Sequence, residues 1–526
     1  MKNHPDVEKV RTGSADSDAE RLAEMGYSQD MKRNFSVWSV LGVGFSLTNS
    51  WWGVSAALIT GVNSGGPSLL VYGTILLALV SVGVAVSLSE LASAMPNAAG
   101  QIFWAAELAP RRYARVASYI TGWLAWAGSI CASASVALSI SSAAVGCYQL
   151  SHPDFEIKTW HVVVCYQLAN AFIFLFNCVG KLLPTVASIS LYTTLISFAV
   201  ILIAVPASAD THQDPKFVFA TFINNTGWAQ DGIAVIVGLI NVNWGFSCLD
   251  TAIHLAEEVH SPEKMVPIAI MGTVTIGFIT SFGFIISMLF SLTNFELVST
   301  TVTGVPMLEL FYQALGHKGG AIALEALIIC TGSGCLAACH TWSSRLCWSF
   351  ARDGGLPYSS FLARIHPRLD VPFNAHATSS LLASILGCLY LASTTAFNRY
   401  YLAISTISSM LTIRSILSGC IVLPYLSYAI PITCLLIRGR ENIAHGPFWL
   451  GWFGLVSNIV LLCWVLFTFV MYSFPAYQPV EADNMNYVSV VYGIVFLVAA
   501  VDWFLRGKKA FQPPLGRHDE IEGVPA

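Results

Sequence analysis

The stretch NVNWGFSCLDTAIHLAEEV, residues 241–259, decides how the whole chain is read. It lies among apolar runs of the length a bilayer core demands, about 20 residues of helix. Yet its middle carries Trp-Gly-Phe-Ser (residues 244–247), followed by Asp250 and His254. An ionisable side chain at that depth costs at least a few kcal/mol, so it faces a partner or a cavity rather than lipid. At 3.6 residues per turn, Asp250, His254 and Glu257 share one face of a helix, and that face must look into the protein.

The rest of the chain supports a membrane setting. Its 526 residues are 55% hydrophobic and only 11% charged, with a mean hydropathy of +0.64. Soluble domains carry about 25% charged residues, so this chain cannot coat a water-facing surface. It reads as an all-α integral membrane protein. The net charge of −4 gives no footing for a nucleic-acid partner. Thirteen cysteines lie almost entirely in apolar runs, without CxxC pairs or a Cys/His metal spacing, and read as small hydrophobes. No metal or cofactor is expected. Residues 1–35 read as a disordered cytosolic tail rather than a cleavable signal, and residues 509–526 as a second cytosolic tail.

Between the tails, residues 36–508 form the transmembrane domain. Apolar runs fall near 38–61, 68–94, 116–147, 161–183, 185–206, 231–256, 266–292, 319–342, 375–394, 402–437, 447–473 and 486–505, which predicts about twelve helices. The tenth run is too long for one crossing. With the N-terminus inside, cytoplasmic segments hold Lys32, Arg33, Arg111, Arg112, Arg115, Lys264, Arg345, Arg352, Arg364, Arg368, Arg438, Arg440 and Arg506, whereas outer loops hold only Lys158, Lys216, Lys318 and Arg399. That bias places both termini in the cytosol. Asn224 opens an N-x-T sequon in an outer loop and is a candidate glycan acceptor.

The first run carries an interruption like that of the sixth. LGVGFSLTNSWWGVS, residues 41–55, clusters Gly44, Ser46, Thr48 and Asn49 at mid-membrane depth. Irregular backbone there survives only when buried in protein or lining a wet cavity. Interruptions at matching places in two five-segment halves, here about 36–206 and 230–437, mark the binding site of an inverted-repeat transporter. The helices at about 447–505 are then additions. Close packing through small residues is the competing explanation for each break alone.

Three further stretches carry a resemblance: SELASAMPNAAGQIFW (89–104), AEEVHSPEKMVPIAI (256–270) and SRLCWSFARDGGLP (344–357). In this order they resemble the signatures of the amino acid–polyamine–organocation transporters. Within that superfamily, GFSLTNSWWGVSAA, KFVFATFINNTGW, CHTWSSRLCWSFARD and NIAHGPFWLGWFG are similar to the fungal choline permeases of the amino acid/choline group. The resemblance implies a twelve-helix 5+5 fold with broken helices one and six, and secondary active transport of choline or a related small amine. It also implies roles. Arginine-type members carry Trp-x-Phe-x-x-x-acid on helix six, where the Trp stacks on a cationic substrate and the acid gates or senses protons; Trp244, Phe246 and Asp250 match that pattern.

The candidate substrate-binding set is therefore Gly44, Ser46, Thr48, Asn49, Trp51, Trp52, Trp126, Trp244, Gly245, Phe246, Ser247 and Asp250. Trp51, Trp52, Trp123 and Trp126 are candidates for an aromatic cage around a quaternary ammonium, and each is equally readable as a packing residue. Glu90, Asp250, His254 and Glu257 are the candidates for gating or coupling. Sodium-coupled members use helix-one carbonyls with helix-eight hydroxyls, and several proton-coupled members use a helix-five Lys. Helix five here has no Lys; helix eight offers Thr331, Ser333 and Thr341, which leaves a sodium site open, whereas Glu90 and Asp250 can titrate, so proton or potential drive is expected. Two features depart from the family: Ala99 replaces a Gly common in relatives, and extra residues around Arg399–Ile416 intervene where relatives are compact. The function expected is import across the plasma membrane of a small cationic or zwitterionic amine. A γ-aminobutyrate or amino acid permease is the alternative, and a transporter-like receptor or channel is the alternative of another class. No sequence feature supports an enzyme.

Overall fold

The computed structural model describes residues 18–56, 58–395, 405–480 and 485–514. Among them the regular structure is helical, with only isolated bridges besides. The first segment breaks into α1 (Val37–Thr48), α2 (Ser50–Ala56) and α3 (Leu58–Asn63). Then follow α4 (Gly66–Ala94), the short α5 (Gln101–Leu108), α6 (Arg111–Ser151), α7 (Thr159–Asn177) and α8 (Leu183–Ser208). The second half holds α9 (Asp231–Trp244), a 3-10 helix (Leu249–Glu258), α10 (Pro262–Ser291), α11 (Pro306–Leu315), α12 (Lys318–Arg352), α13 (Phe373–Thr395) and α14 (Ser405–Arg438). The last two crossings are α15 (Trp452–Met471) and α16 (Val488–Asp502). Ten of these stretches are long and apolar enough to cross a bilayer; the broken first segment and α13 bring the total to the expected twelve.

Lipid offers no hydrogen bonds, so each segment must satisfy its own polar groups. α6 shows how a serine-rich helix does this: Ser133 Oγ donates to the Ser129 carbonyl at 3.0 Å and Ser141 Oγ to that of Ala137 at 2.7 Å. At 1.5 Å per residue its 41 residues run about 60 Å, so it tilts or extends beyond a core of about 30 Å. α1 starts at a capping box, in which Ser36 N donates to Ser39 Oγ at 2.8 Å and Ser39 N to Ser36 Oγ at 3.3 Å.

The packing exchanges partners between the halves. α6 lies on α14 and α12 on α8; α6 and α12 also pack together, as do α4 with α10 and α7 with α13. A two-fold relation between two five-segment units produces this exchange, and it brings the broken first and sixth segments to the centre.

Three expectations change. The described part of the N-terminal tail is helical over residues 18–24 and lies as a strap across the helix ends beside the end of the sixth segment. Arg33 pairs with Asp18 at 3.1 Å and donates to the Val259 carbonyl at 2.6 Å, and Phe35 N donates to the Glu258 carbonyl at 3.0 Å. These bonds answer polar groups that the end of the sixth segment leaves free, which is why the strap is fixed. The C-terminal stretch stays ordered through residue 514, with Gln512 N donating to the Asp353 carbonyl at 2.9 Å. The overlong tenth run is one 34-residue helix, α14, with Pro424 and Pro431 inside it. Of the departing segment around Arg399–Ile416, residues 396–404 lie outside the described residues, and the remainder forms the first turns of α14.

Candidate functional site

The two breaks touch. A Cβ added to Gly53 would stand 2.8 Å from Gly245 Cα, and one added to Gly245 would stand 2.7 Å from the Ser50 carbonyl oxygen. Only glycine lets the backbones come this close. The first break turns on Asn49, left-handed at φ 32°, a conformation that Asn tolerates better than most residues. Its side-chain oxygen accepts from Thr194 Oγ1 at 3.2 Å, and Thr194 in turn accepts from Trp51 Nε1 at 3.1 Å. Carbonyls freed by the break find new donors: Cys335 Sγ donates to Leu47 O at 3.1 Å. Thr48 Oγ1 donates to Ser247 O at 3.3 Å and so ties the two breaks together.

Beside this contact lies a narrow cavity lined by Leu47, Thr48, Trp52, Gly53, Ala132, Val136, Trp244, Ser247, Cys248, Cys335 and Cys339. Its free space is about that of one water molecule, so any larger cargo requires the walls to part. The Trp52 and Trp244 rings, one from each break, stand 5.4 Å apart at 51°. Trp52 is fixed by its Nε1 donating to Ile328 O at 3.0 Å. None of the lining side chains is charged.

Of the residues singled out from sequence, Thr48, Trp52, Trp244 and Ser247 line the cavity. The others stand behind it. Gly44 faces Thr273, and Gly245 is the backbone contact itself. Ser46, Asn49 and Phe246 are buried outside the lining. Trp51 stacks between Phe198 and Phe284, with ring centroids at 6.0 and 5.3 Å, and Trp126 Nε1 donates to Ser379 Oγ at 3.0 Å. These two are packing residues. Sequence reasoning missed Gly53 and the walls from α6 and α12. Ala132 with Val136 and Cys335 with Cys339 are i,i+4 pairs of small side chains, whose only mark is that spacing.

Past the second break the chain winds as a 3-10 helix for ten residues, longer than such helices usually run and a mark of strain or a hinge. Cys248 begins it at φ 60°. The expected shared face of Asp250, His254 and Glu257 is corrected in part: with three residues per turn Glu257 rotates away from Asp250, although all three remain tied to the 97–101 loop. Asp250, fully buried, does not line the cavity. Its Oδ2 accepts from Gln101 Nε2 at 2.8 Å and its Oδ1 from Tyr428 OH at 2.5 Å. His254 Nδ1 lies 2.7 Å from the Ala98 carbonyl, which can only accept, so Nδ1 carries a hydrogen. Nε2 then meets Asp250 Oδ2 at 3.1 Å, a contact that needs one further proton on either atom.

Beyond it the helix ends in two carboxylates with cationic partners. Arg352 grips Glu257 at 2.9 and 3.0 Å, and Arg345 grips Glu258 at 2.9 and 3.1 Å. The Arg352 guanidinium also lies 4.0 Å over the Tyr27 ring, and Tyr27 OH donates to Asp353 at 2.9 Å. The three signature stretches, at 89–104, 256–270 and 344–357, thus meet at one ionic closure under the strap. Outside the membrane span, burial pushes the Asp353 carboxyl up to about 7, against the pull of Arg352 and the Tyr27 hydrogen bond.

Two candidates fall outside the site. Glu90 is bound to Arg440 at 2.9 Å and accepts from Leu450 N at 2.8 Å, joining α4 to the stretch before α15. Asn224 donates its amide nitrogen to Trp228 O at 2.9 Å and to Asp231 at 3.0 Å, in the loop before α9.

Residues 35–496 match the amino acid permease family. The chain is 51% identical to the choline transporter of Saccharomyces cerevisiae, over 91% of this chain and 83% of that one. It is 33% identical to the 7-keto 8-aminopelargonic acid transporter of the same yeast, over 89% and 91%. It is also 33% identical to the swainsonine transporter swnT of Arthroderma benhamiae, over 91% and 92%.

Proposed function

The chain belongs to the amino acid permease family and is an integral membrane transporter; from that premise we propose that it imports choline or a related small amine across the plasma membrane, driven by protons and the membrane potential, with both termini cytosolic. The observation that carries the cargo is the pair of indole faces, Trp52 and Trp244, in a cavity without a charged lining side chain. A quaternary ammonium donates no hydrogen bond, so aromatic faces are what can hold it. The yeast relative named a choline transporter supports the same cargo. The second reading, a γ-aminobutyrate or amino acid permease, draws on the family description; such a carboxylate would meet no cationic side chain in this cavity.

The driving ion follows from two contacts. The Asp250–His254 contact, 3.1 Å between a carboxylate and an imidazole, sits just past the second break. At the first break the Leu47 carbonyl is already taken by the Cys335 thiol, where sodium-coupled members offer hydroxyls. The membrane potential adds about 2.3 kcal/mol per 100 mV for a cation moving inward. Uptake of labelled choline, γ-aminobutyrate and arginine, in cells lacking their own permeases, tests the cargo. Choline accumulation that rises with external acidity and persists when sodium is replaced is expected. Accumulation of γ-aminobutyrate without choline refutes the cargo, and a several-fold loss without sodium refutes the driving ion.

A further inference from the structure

Glu325 on α12 has no counterpart in the site just described. It is 1% exposed, its Oε2 meets no donor, and neither a hydrogen bond nor an ion pair reaches it among the described residues. A carboxylate removed from water without a partner is costly enough that it takes up a proton instead. Every other buried carboxylate on the transport path is answered: Asp250 by Tyr428, Gln101 and His254, Glu257 by Arg352, and Glu258 by Arg345. Among these described carboxylates Glu325 is the one closed in unanswered.

Its position gives this meaning. The cytosolic end of α12 carries Arg345 and Arg352, whereas Glu325 lies two turns from the opposite end, at Lys318. The cavity residue Cys335 is ten residues further along, about 15 Å at 1.5 Å per residue. Between them Trp52 donates to Ile328 O, and a Cβ on Gly332 would stand 2.7 Å from the Trp52 ring. Glu325 therefore sits on the outer side of the indole that closes the cavity, in the seam between α12 and α6. Cys147 of α6 lies across from it. The other titratable groups on the elements packed at this end are Tyr148 of α6, His161 of α7, Glu309 and Tyr312 of α11, Tyr390 of α13, and His317 with the exposed Lys318 at the start of α12; α2 brings none, and α8 brings Tyr192.

We propose that Glu325 is the outer proton-loading group of the transport cycle: open to the external solution it takes a proton, and only in its neutral form does it enter the closed seam beside Trp52. No bond other than O–H is made or broken; the proton comes from external water and is given up when the seam next opens on the side to which it is carried. This rests on the proton-driven reading above and adds the residue that reads external pH, on the opposite side of the cavity from the Asp250–His254 pair.

Glu325→Gln copies the neutral form in shape and hydrogen bonding and so should fold. Initial uptake rates of labelled choline against external pH are measured for wild type, Glu325→Gln and Glu325→Asp, with surface protein quantified, alongside choline–choline exchange in vesicles without a gradient. Wild type and Glu325→Asp should rise several-fold on acidification, Glu325→Gln should stay flat within about twofold, and exchange should persist in all three. A Glu325→Gln profile that rises like wild type overturns the proposal while leaving proton drive intact. A raised KM in Glu325→Gln with unchanged pH dependence also overturns it, in favour of a cargo-attracting role. Wild-type uptake indifferent to external pH overturns proton drive itself, and this proposal with it.

Discussion

The two helix breaks hold mirrored places in the fold and are built by different chemistry. The first is a one-residue turn: Asn49 leaves the helix, its N–H still reaches Phe45 O at 2.7 Å, and Gly53 N resumes on Asn49 O at 2.9 Å. Every side chain around it is neutral. The second runs from Gly245 to a left-handed Cys248 and never returns to an α-helix, ending instead in a 3-10 tract that carries Asp250, His254, Glu257 and Glu258. One break is a wall with a hinge, and the other carries the charge. A cavity between unlike walls can sense cargo on one side and pass the consequence to an ionic closure on the other.

The comparison breaks most completely where the walls meet. Gly53→Ala should reduce uptake by roughly a hundredfold or more, since a Cβ within 2.8 Å of backbone cannot be absorbed by a side-chain shift; near-normal uptake at equal surface level would separate the two breaks. On the charged side, Asp250→Asn should lower uptake at least about tenfold, because His254 and Tyr428 lose their carboxylate partner. The same variant should keep normal surface expression, and normal uptake at limiting and saturating choline would remove Asp250 from coupling.

On the neutral side, Trp244→Ala should raise KM about five- to thirty-fold, equivalent to about 1–2 kcal/mol, whereas Trp244→Phe loses less. Trp51→Phe, at a ring that only packs, should leave KM within about twofold while costing about 1 kcal/mol of stability through its lost bond to Thr194. Equal effects of the Trp51 and Trp244 substitutions would erase the distinction between wall and scaffold.

The ionic closure should respond to cytosolic pH. The Asp353 carboxyl titrates near 7 when buried, against an ordinary 3.8. An acid whose pKa is raised by burial holds its proton more tightly in the closed form. Closure is therefore strongest below the ordinary value and weakens as pH climbs towards 7. Opening of the strap, read as protease access to residues 18–35, should increase about tenfold between pH 6 and pH 8. Asp353→Asn should flatten that curve; an unchanged curve would place the titrating group elsewhere.

Sequence alone was enough for the crossings and the two breaks, because both rest on backbone hydrogen bonding in lipid and show up as composition: long apolar runs, then Gly, Ser and Asn at the wrong depth. It was not enough for direction. Trp51 and Trp52 are neighbours in sequence, yet one packs on Phe284 and the other closes the cavity. The helical turn predicted past Asp250 became three residues per turn because Cys248, left-handed, resets the winding. Cys335 and Cys339 carried no signal, being defined by what α1 leaves exposed rather than by their own chemistry. The strap was misread because its anchors, Asp353, Asp370 and the Glu258 carbonyl, lie hundreds of residues away.

Asp353 receives Tyr27 through its side chain and Gln512 through its carbonyl. In the order of synthesis these partners are separated by most of the polypeptide. Residue 512 follows residue 353 by 159 positions, so at about 5–20 residues per second the ribosome needs roughly 10 to 30 s to supply it. Through that interval the first partner can dock and the last cannot, and the strap-side mouth of the nascent permease is fastened on one side only. The finished clasp is thus a record that translation reached the final helix, and a chain stalled before α16 would enter the membrane with its inner closure half made.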